Sequence, residues 1–255
     1  MDKYNSEINF YLPGLYHFLS VYGALLQNYV KHREKFKDNA NIGCIYDCPG
    51  GIWNGGRSFP NQFSKEDLDM VCSLMRDKHI PIRFTFTNCL LKEEHIHDTY
   101  CNMLLEIYNT GKNEILCNSQ ILEDYIRNKY GNRYKYISST TKRFQDNNLQ
   151  LQELEKDYYL VVIDYDYNND FDFLKTIKNK EKCELLCNPV CDPHCPRRKM
   201  HYESISLSQL ENRLDKFKCI NAGKHFWEVQ KQENYIGPEA INDIYIPMGF
   251  KHFKL

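Results

Sequence analysis

Long apolar runs are absent from this sequence, whose apolar stretches break off after a few residues, far short of the roughly 20 needed to cross a bilayer. The N-terminus, Met1-Asp2-Lys3-Tyr4-Asn5, carries no export-signal pattern. Net charge is missing too, since 33 Lys and Arg stand against 34 Asp and Glu. Such a balance offers no overall basic field to hold a nucleic-acid backbone. Internal repeats, low-complexity tracts and linkers are also lacking. Together these absences predict a cytoplasmic protein folded as one domain over residues 1–255, with neither a membrane nor nucleic acid as its favoured partner.

What the chain does have is cysteine, 11 residues of it. A reducing cytosol keeps thiols free and the count is odd, which argues against a disulfide framework and leaves metal binding as the expected use of some of them. Cys72, Cys89, Cys101, Cys117 and Cys183 sit in or beside helix- or strand-like apolar runs. They read as core, because free cysteine packs as a small hydrophobe.

Strand-like and helix-like segments alternate along the chain, the pattern of a parallel sheet with crossover helices. Strands are expected near 8–12, 42–46, 82–86, 114–117, 134–137, 159–163, 184–187 and 251–255. Helices are expected near 15–36, 65–78, 94–108, 120–130, 171–178, 207–217 and 238–246, with a weakly periodic stretch at 141–157. Eight strands close naturally into a barrel without exposed edges. The expected fold is therefore a TIM-like (β/α)8 barrel with its last outer helix missing, the flank being covered by the 15–36 helix or by a partner in a homodimer.

In such barrels the loops after the strands converge on one mouth, where active sites lie. Polar residues recur at those positions: Asn88 after the third strand, Asn118 after the fourth, Lys142 after the fifth, Asp164 after the sixth and Asn188 after the seventh. The glycine-rich Gly50–Gly56 loop ends at Arg57 and reads either as an anion cradle or as a tight loop carrying Trp53. Arg83, inside the third strand, is a further anion partner or a residue of the barrel wall.

The segment Cys187-Asn188-Pro189-Val190-Cys191-Asp192-Pro193-His194-Cys195-Pro196 places three cysteines at intervals of four between helix-breaking prolines. Thiolates so spaced can converge on one metal, and Arg197, Arg198 and Lys199 favour their deprotonated form. A fourth ligand must come from elsewhere, with Cys219 and Cys48 as candidates. Zinc, with His194 or His201 as an alternative ligand, and an iron–sulfur cluster both suit this set.

Several segments carry a family resemblance. Ile52-Trp53-Asn54-Gly55-Gly56-Arg57, Pro81-Ile82-Arg83-Phe84-Thr85-Phe86-Thr87-Asn88, Ile137-Ser138-Ser139-Thr140-Thr141-Lys142 and the run from Cys191 through Tyr202 resemble a bacterial branch of the collagenase-like peptidase U32 superfamily. That resemblance implies a barrel and, in several relatives, a four-cysteine [4Fe-4S] cluster that supports oxygen-independent hydroxylation. Cys191 and Cys195 are the pair matching its cluster pattern. The function expected first is an iron–sulfur barrel enzyme doing redox or hydroxylation chemistry on a small or RNA-borne substrate, with an electron-donor protein as partner. Asp164 would be its acid or base, Asn88 and Lys142 would assist, and Arg57, Arg83, Asn118 and Asn188 would bind substrate. A U32-like hydrolase and a binding protein with structural zinc are the alternatives.

Overall fold

The structure, a computed structural model, describes residues 7–56 and 62–255, so Arg57 lies outside the described residues. Its organising element is β3 (Ile82–Phe86), where every second residue has a different environment. Ile82, Phe84 and Phe86 pack outward into the main apolar core, while Arg83 reaches carboxylates on distant strands. An arginine on the third strand can meet the seventh only through the centre of a ring. Eight parallel strands make that ring: β1 (Ile8–Pro13), β2 (Ala40–Asp47), β3, β4 (Glu114–Cys117), β5 (Lys135–Ser138), β6 (Leu160–Val162), β7 (Cys183–Leu186) and β8 (His252–Lys254). They pair in sequence order, and β8 closes back on β1 through Asn9↔His252 and Tyr11↔Lys254. The TIM-like barrel expected from the sequence is the fold observed.

Six helices clothe the strands: α1 (Leu19–Lys31), α2 (Lys65–Asp77), α3 (Thr99–Ile107), α4 (Gln120–Tyr130), α5 (Asn147–Glu155) and α6 (Phe171–Thr176). Their starts follow capping chemistry. Ser64 accepts from the Asp67 amide, Ser119 from Leu122, and Asp170 from Phe173, each satisfying a donor that the first turn leaves open. The segment 238–248 is helical but widens to a π-turn over Ile241–Tyr245 just before Pro247, which has no amide hydrogen to continue the ladder. Beside it, outside β1 and β8, an apolar groove of about 390 Å³ is lined by Ile8, Phe10, Ile236, Ile241, Ile246 and Leu255.

One helix departs from expectation. The sequence pattern suggests 207–217, whereas α7 spans Arg198–Leu210. Its buried face carries Arg198, Ile205 and Ser206, with Tyr202 between them. A face so polar has no apolar stripe for periodicity to find.

The barrel interior is divided. Leu116, Ile137, Leu160 and Val162 fill the β4–β6 side with Tyr11 and Cys44, the apolar filling usual for such barrels. The other side holds a fully buried ion group: Arg83 Nε donates to Glu114 Oε2 at 2.8 Å, and Nη1 donates to Glu184 at 2.7 Å. Arg83 also lies 4.3 Å from the Tyr11 ring centre, and the Tyr11 hydroxyl is 2.7 Å from His252 Nδ1. Such a group adds little net stability against an apolar filling, but removing one member costs a great deal. It pins β3, β4 and β7 in register.

Burial holds the His252 ring neutral, pushing its pKa down from 6.5 to about 4. The unfolded chain takes up that proton near 6.5 and the folded chain only near 4, so His252 removes stability as pH falls through this window. The loss amounts to at most about 3 kcal/mol. Urea unfolding at pH 7, 6, 5 and 4 should show a shallower loss in His252→Gln than in the native chain. Parallel curves would contradict this account of the interior.

Candidate active site beneath a crossing helix

Helix α7 does not lie outside the barrel. At its start, Arg198 Nη1 donates to Asp164 Oδ1 at 3.0 Å and Nη2 to Asp166 Oδ1 at 2.5 Å, both carboxylates standing just beyond β6. Eight residues on, the Ser206 carbonyl accepts from Asn88 Nδ2 at 3.1 Å, and its hydroxyl oxygen accepts from the Cys89 amide at 3.1 Å, just beyond β3. Eight residues of helix rise about 12 Å. The helix therefore crosses the mouth from the β6 side of the ring to the β3 side.

Beneath its first turn lies a quartet of two arginines and two aspartates. Asp164 is 1% exposed; its Oδ1 also accepts from the Asp166 amide at 3.0 Å, and its own amide donates to Gln150. Arg143 faces the other edge, with Nε 3.8 Å from Asp164 Oδ2 and Nη1 3.6 Å from Asp166 Oδ2. These are ion pairs too long for hydrogen bonds. Arg143 Nε and Nη1, Arg198 Nε and both Oδ2 atoms are buried without a hydrogen-bond partner. Arg143 has φ 60° and ψ 60°, the left-handed region that costs an ordinary side chain roughly 1–2 kcal/mol. Arg198 stacks 4.0 Å from the Tyr165 ring centre, and the Tyr165 and Tyr202 hydroxyls meet at 3.1 Å. Burial raises the Asp164 carboxyl above the usual range, with Arg198 opposing.

Next to the quartet, Cys191 and Cys195 pack on Tyr165 and Leu186. Together with Cys219 and His201 they line a cavity of about 10 Å³, the room of about one water. The structure thus brings three of the expected thiols to one place together with His201, one of the two alternative histidines. Cys48 and Cys187 are not brought there. Both are buried in the main apolar core, with Sγ directed to the Gly50 and Leu185 carbonyls respectively, and burial raises both thiols. Among the described residues no three Cys, His, Asp or Glu side chains converge closely enough to hold a metal ion. As placed, the residues do not fit a [4Fe-4S] cluster, which needs four thiolates and far more room.

The remaining expected site residues serve elsewhere. Asn88 is fully engaged, with Nδ2 donating to the Ile52 and Ser206 carbonyls and Oδ1 accepting from the Leu90 amide. It fastens α7 to the β2 and β3 loops. Lys142 points outward to Glu153 and the Tyr158 hydroxyl at 2.8 and 2.9 Å. Arg83 belongs to the interior ion group, and Asn118 ties its loop to Thr141 at 2.8 Å. Asn188 edges the apolar groove outside the barrel. The glycine-rich loop is tight packing: a Cβ at Gly55 would collide with the Thr87 carbonyl, and Trp53 is fully buried edge-on to Phe86.

Sequence reasoning did not single out Arg143, Asp166 or Tyr202, and it read Arg198 only as a charge beside the thiols. The Asp164-x-Asp166 pair at a strand end was the available signal. On the outer side of α7 an open pocket of about 460 Å³ is lined by His201, Ile205, Ser208, Arg213, Phe217 and Lys224, and it shares His201, Phe217 and Cys219 with the thiol cavity.

No family model matches this chain, and no curated protein matches it either. Among solved structures, that of the U32 peptidase Mk0906 is similar over 98% of this chain and 91% of its own, with a TM-score of 0.59 and 9% identity. The two share the same barrel fold. Among the described residues no helix is long and apolar enough to cross a membrane.

Arg198→Met would leave two buried carboxylates facing Arg143 alone, at a cost of about 3–5 kcal/mol. Hydrogen exchange should then show the α7 amides losing more protection than those of β3 and β4. Equal loss in all three would contradict the latch.

Proposed function

We propose that this chain is a U32-like barrel enzyme that works by acid–base chemistry on a small polar molecule, with hydrolysis as the reaction class. One observation carries this reading. Asp164 is a buried carboxyl held at the C-terminal end of the barrel, with one oxygen fixed by Arg198 and the Asp166 amide and the other without a hydrogen-bond partner. A carboxyl so oriented, and raised by burial, is suited to take and return a proton. The Arg198 cation fixes its orientation, and Arg143 stands ready to face developing negative charge. The crossing helix keeps bulk water from the site, which strengthens each of these interactions, while the water consumed enters with the substrate.

A second reading rests on Cys191, Cys195, Cys219 and His201 lining one cavity. Drawn together, they would form a Cys3His set of the kind that binds zinc in closed structural sites. The iron–sulfur redox reading needs a fourth thiolate brought to the same cavity, and an electron donor.

Two measurements test these readings. Against a panel of small amides and esters, Asp164→Asn should lower turnover about 100- to 10,000-fold, the usual contribution of a positioned acid or base. Undiminished turnover in the variant, or no turnover of any panel member by the native chain, contradicts the hydrolytic reading. Metal analysis after anaerobic purification addresses the thiols. Zinc retained in Cys187→Ser and Cys48→Ser but lost in Cys219→Ser supports the Cys3His set, whereas about four irons per chain would instead support redox chemistry.

A further inference from the structure

The quartet under α7 holds an unusual concentration of unpaired polarity. Native interiors leave few buried polar atoms without partners, yet five lie together here: Arg143 Nε and Nη1, Arg198 Nε, Asp164 Oδ2 and Asp166 Oδ2. They are not scattered. The Arg143 donors form one edge of its guanidinium fork, and each sits 3.6 to 3.8 Å from an unpaired aspartate oxygen. Arg143 itself is 8% exposed on its side chain and is held in a left-handed backbone conformation at the end of the turn 140–142. His194, the one other titratable group on Asp166 Oδ2, is 3.8 Å away and largely exposed.

The charges decide what such a surface binds. Two arginines and two aspartates sum to zero, so a lone anion meets two carboxylates and a lone cation meets two guanidiniums. A ligand that matches must present an acceptor to Arg143 and, beside it, a donor to the two Oδ2 atoms. An ammonium has three donors and suits two carboxylate oxygens, while a carboxylate or carbonyl oxygen suits the arginine fork. The Arg143 donors stand 3.6 to 3.8 Å from the two Oδ2 atoms, so the ligand's acceptor and donor must be close neighbours.

We propose that Arg143, Asp164 and Asp166 form a recognition site for an α-amino acid unit, its ammonium on the two aspartates and its adjacent oxygen on Arg143. The unit is either a free amino acid or the N-terminal residue of a peptide. Arg198 holds the aspartates with their second oxygens turned to the ligand, and entry requires its helix to lift. This names a substrate class for the acid–base reading above and rests on the same site, but binding is measured without turnover, so the two fail separately.

The experiment is calorimetric titration of the intact chain with the free amino acids, with dipeptides, and with the N-acetyl forms of each. Binding of at least one free amino acid or dipeptide is expected, and N-acetylation, which removes the ammonium, should weaken it roughly 100-fold. Free amino acids and dipeptides, titrated separately, distinguish the two sources. Arg143→Gly relieves the backbone strain, so it should melt no more than a few degrees lower than the native chain while losing roughly 100-fold in affinity. Asp166→Asn is a second variant, expected to weaken the ammonium-bearing ligands and leave their N-acetyl forms unchanged. The site is overturned if no free amino acid or dipeptide binds the native chain, if N-acetyl forms bind equally well, or if Arg143→Gly binds as the native chain does. Binding by the native chain that is lost in Asp166→Asn, with no panel member turned over by the native chain, would uphold this site and defeat the acid–base reading.

Discussion

The contact of Arg198 with Asp164 and Asp166 is the constraint on which the upper half of this protein depends. It takes a guanidinium from the first residue of α7 and fixes it, at 3.0 and 2.5 Å, to two carboxylates beyond β6. All three side chains are buried. Desolvating such a group is expensive and its mutual attraction offsets the cost only when the geometry is good. The helix is thereby committed to lie over the mouth, where a helix that packed outside would leave the aspartates uncompensated. The thiol cavity, the open pocket beside His201 and the unpaired edge of Arg143 are all consequences of that placement.

The barrel below follows a related logic with a different outcome. One side of its interior is filled by Leu116, Ile137, Leu160 and Val162, and the other by Arg83 with Glu114 and Glu184. The lower ion group has Arg83 hydrogen-bonded to both carboxylates through Nε and Nη1, with Nη2 left without a partner, and it serves register. The upper quartet is left with five atoms unpaired. Two clusters of the same residue types, a few residues apart along the strands, thus divide structure from recognition, and the division shows in hydrogen bonding rather than in composition.

The strands were legible because a barrel strand is buried on both faces and flanked by turn residues: β3 and β4 match the ranges 82–86 and 114–117 read from periodicity. Helix α7 was not, because its buried face presents Arg198, Tyr202 and Ser206 to a polar mouth, and periodicity detects only apolar stripes. For the thiols, spacing pointed to Cys187, Cys191 and Cys195 alike, the resemblance to Cys191 and Cys195, and the fold joins Cys219 to those two. Spacing had no means of separating these from Cys187, whose side chain leaves a strand toward the opposite, apolar side. Asn88 and Lys142 stand where strand-end logic places active groups. Their partners, visible only in three dimensions, make one a fastener and the other a member of an outer ion network.

The central claim is that α7 crosses the mouth and is fastened to the β3 loop. Its most direct test uses a distance already present: Cys89 Sγ lies 3.4 Å from Ser206 Oγ. In Ser206→Cys the two sulfurs would stand within reach of a disulfide after modest adjustment. Mild oxidation followed by peptide mapping should give a cross-link between position 206 and Cys89 in most molecules. A variant that stays reduced at both positions, or that pairs position 206 with another cysteine, would contradict the crossing helix.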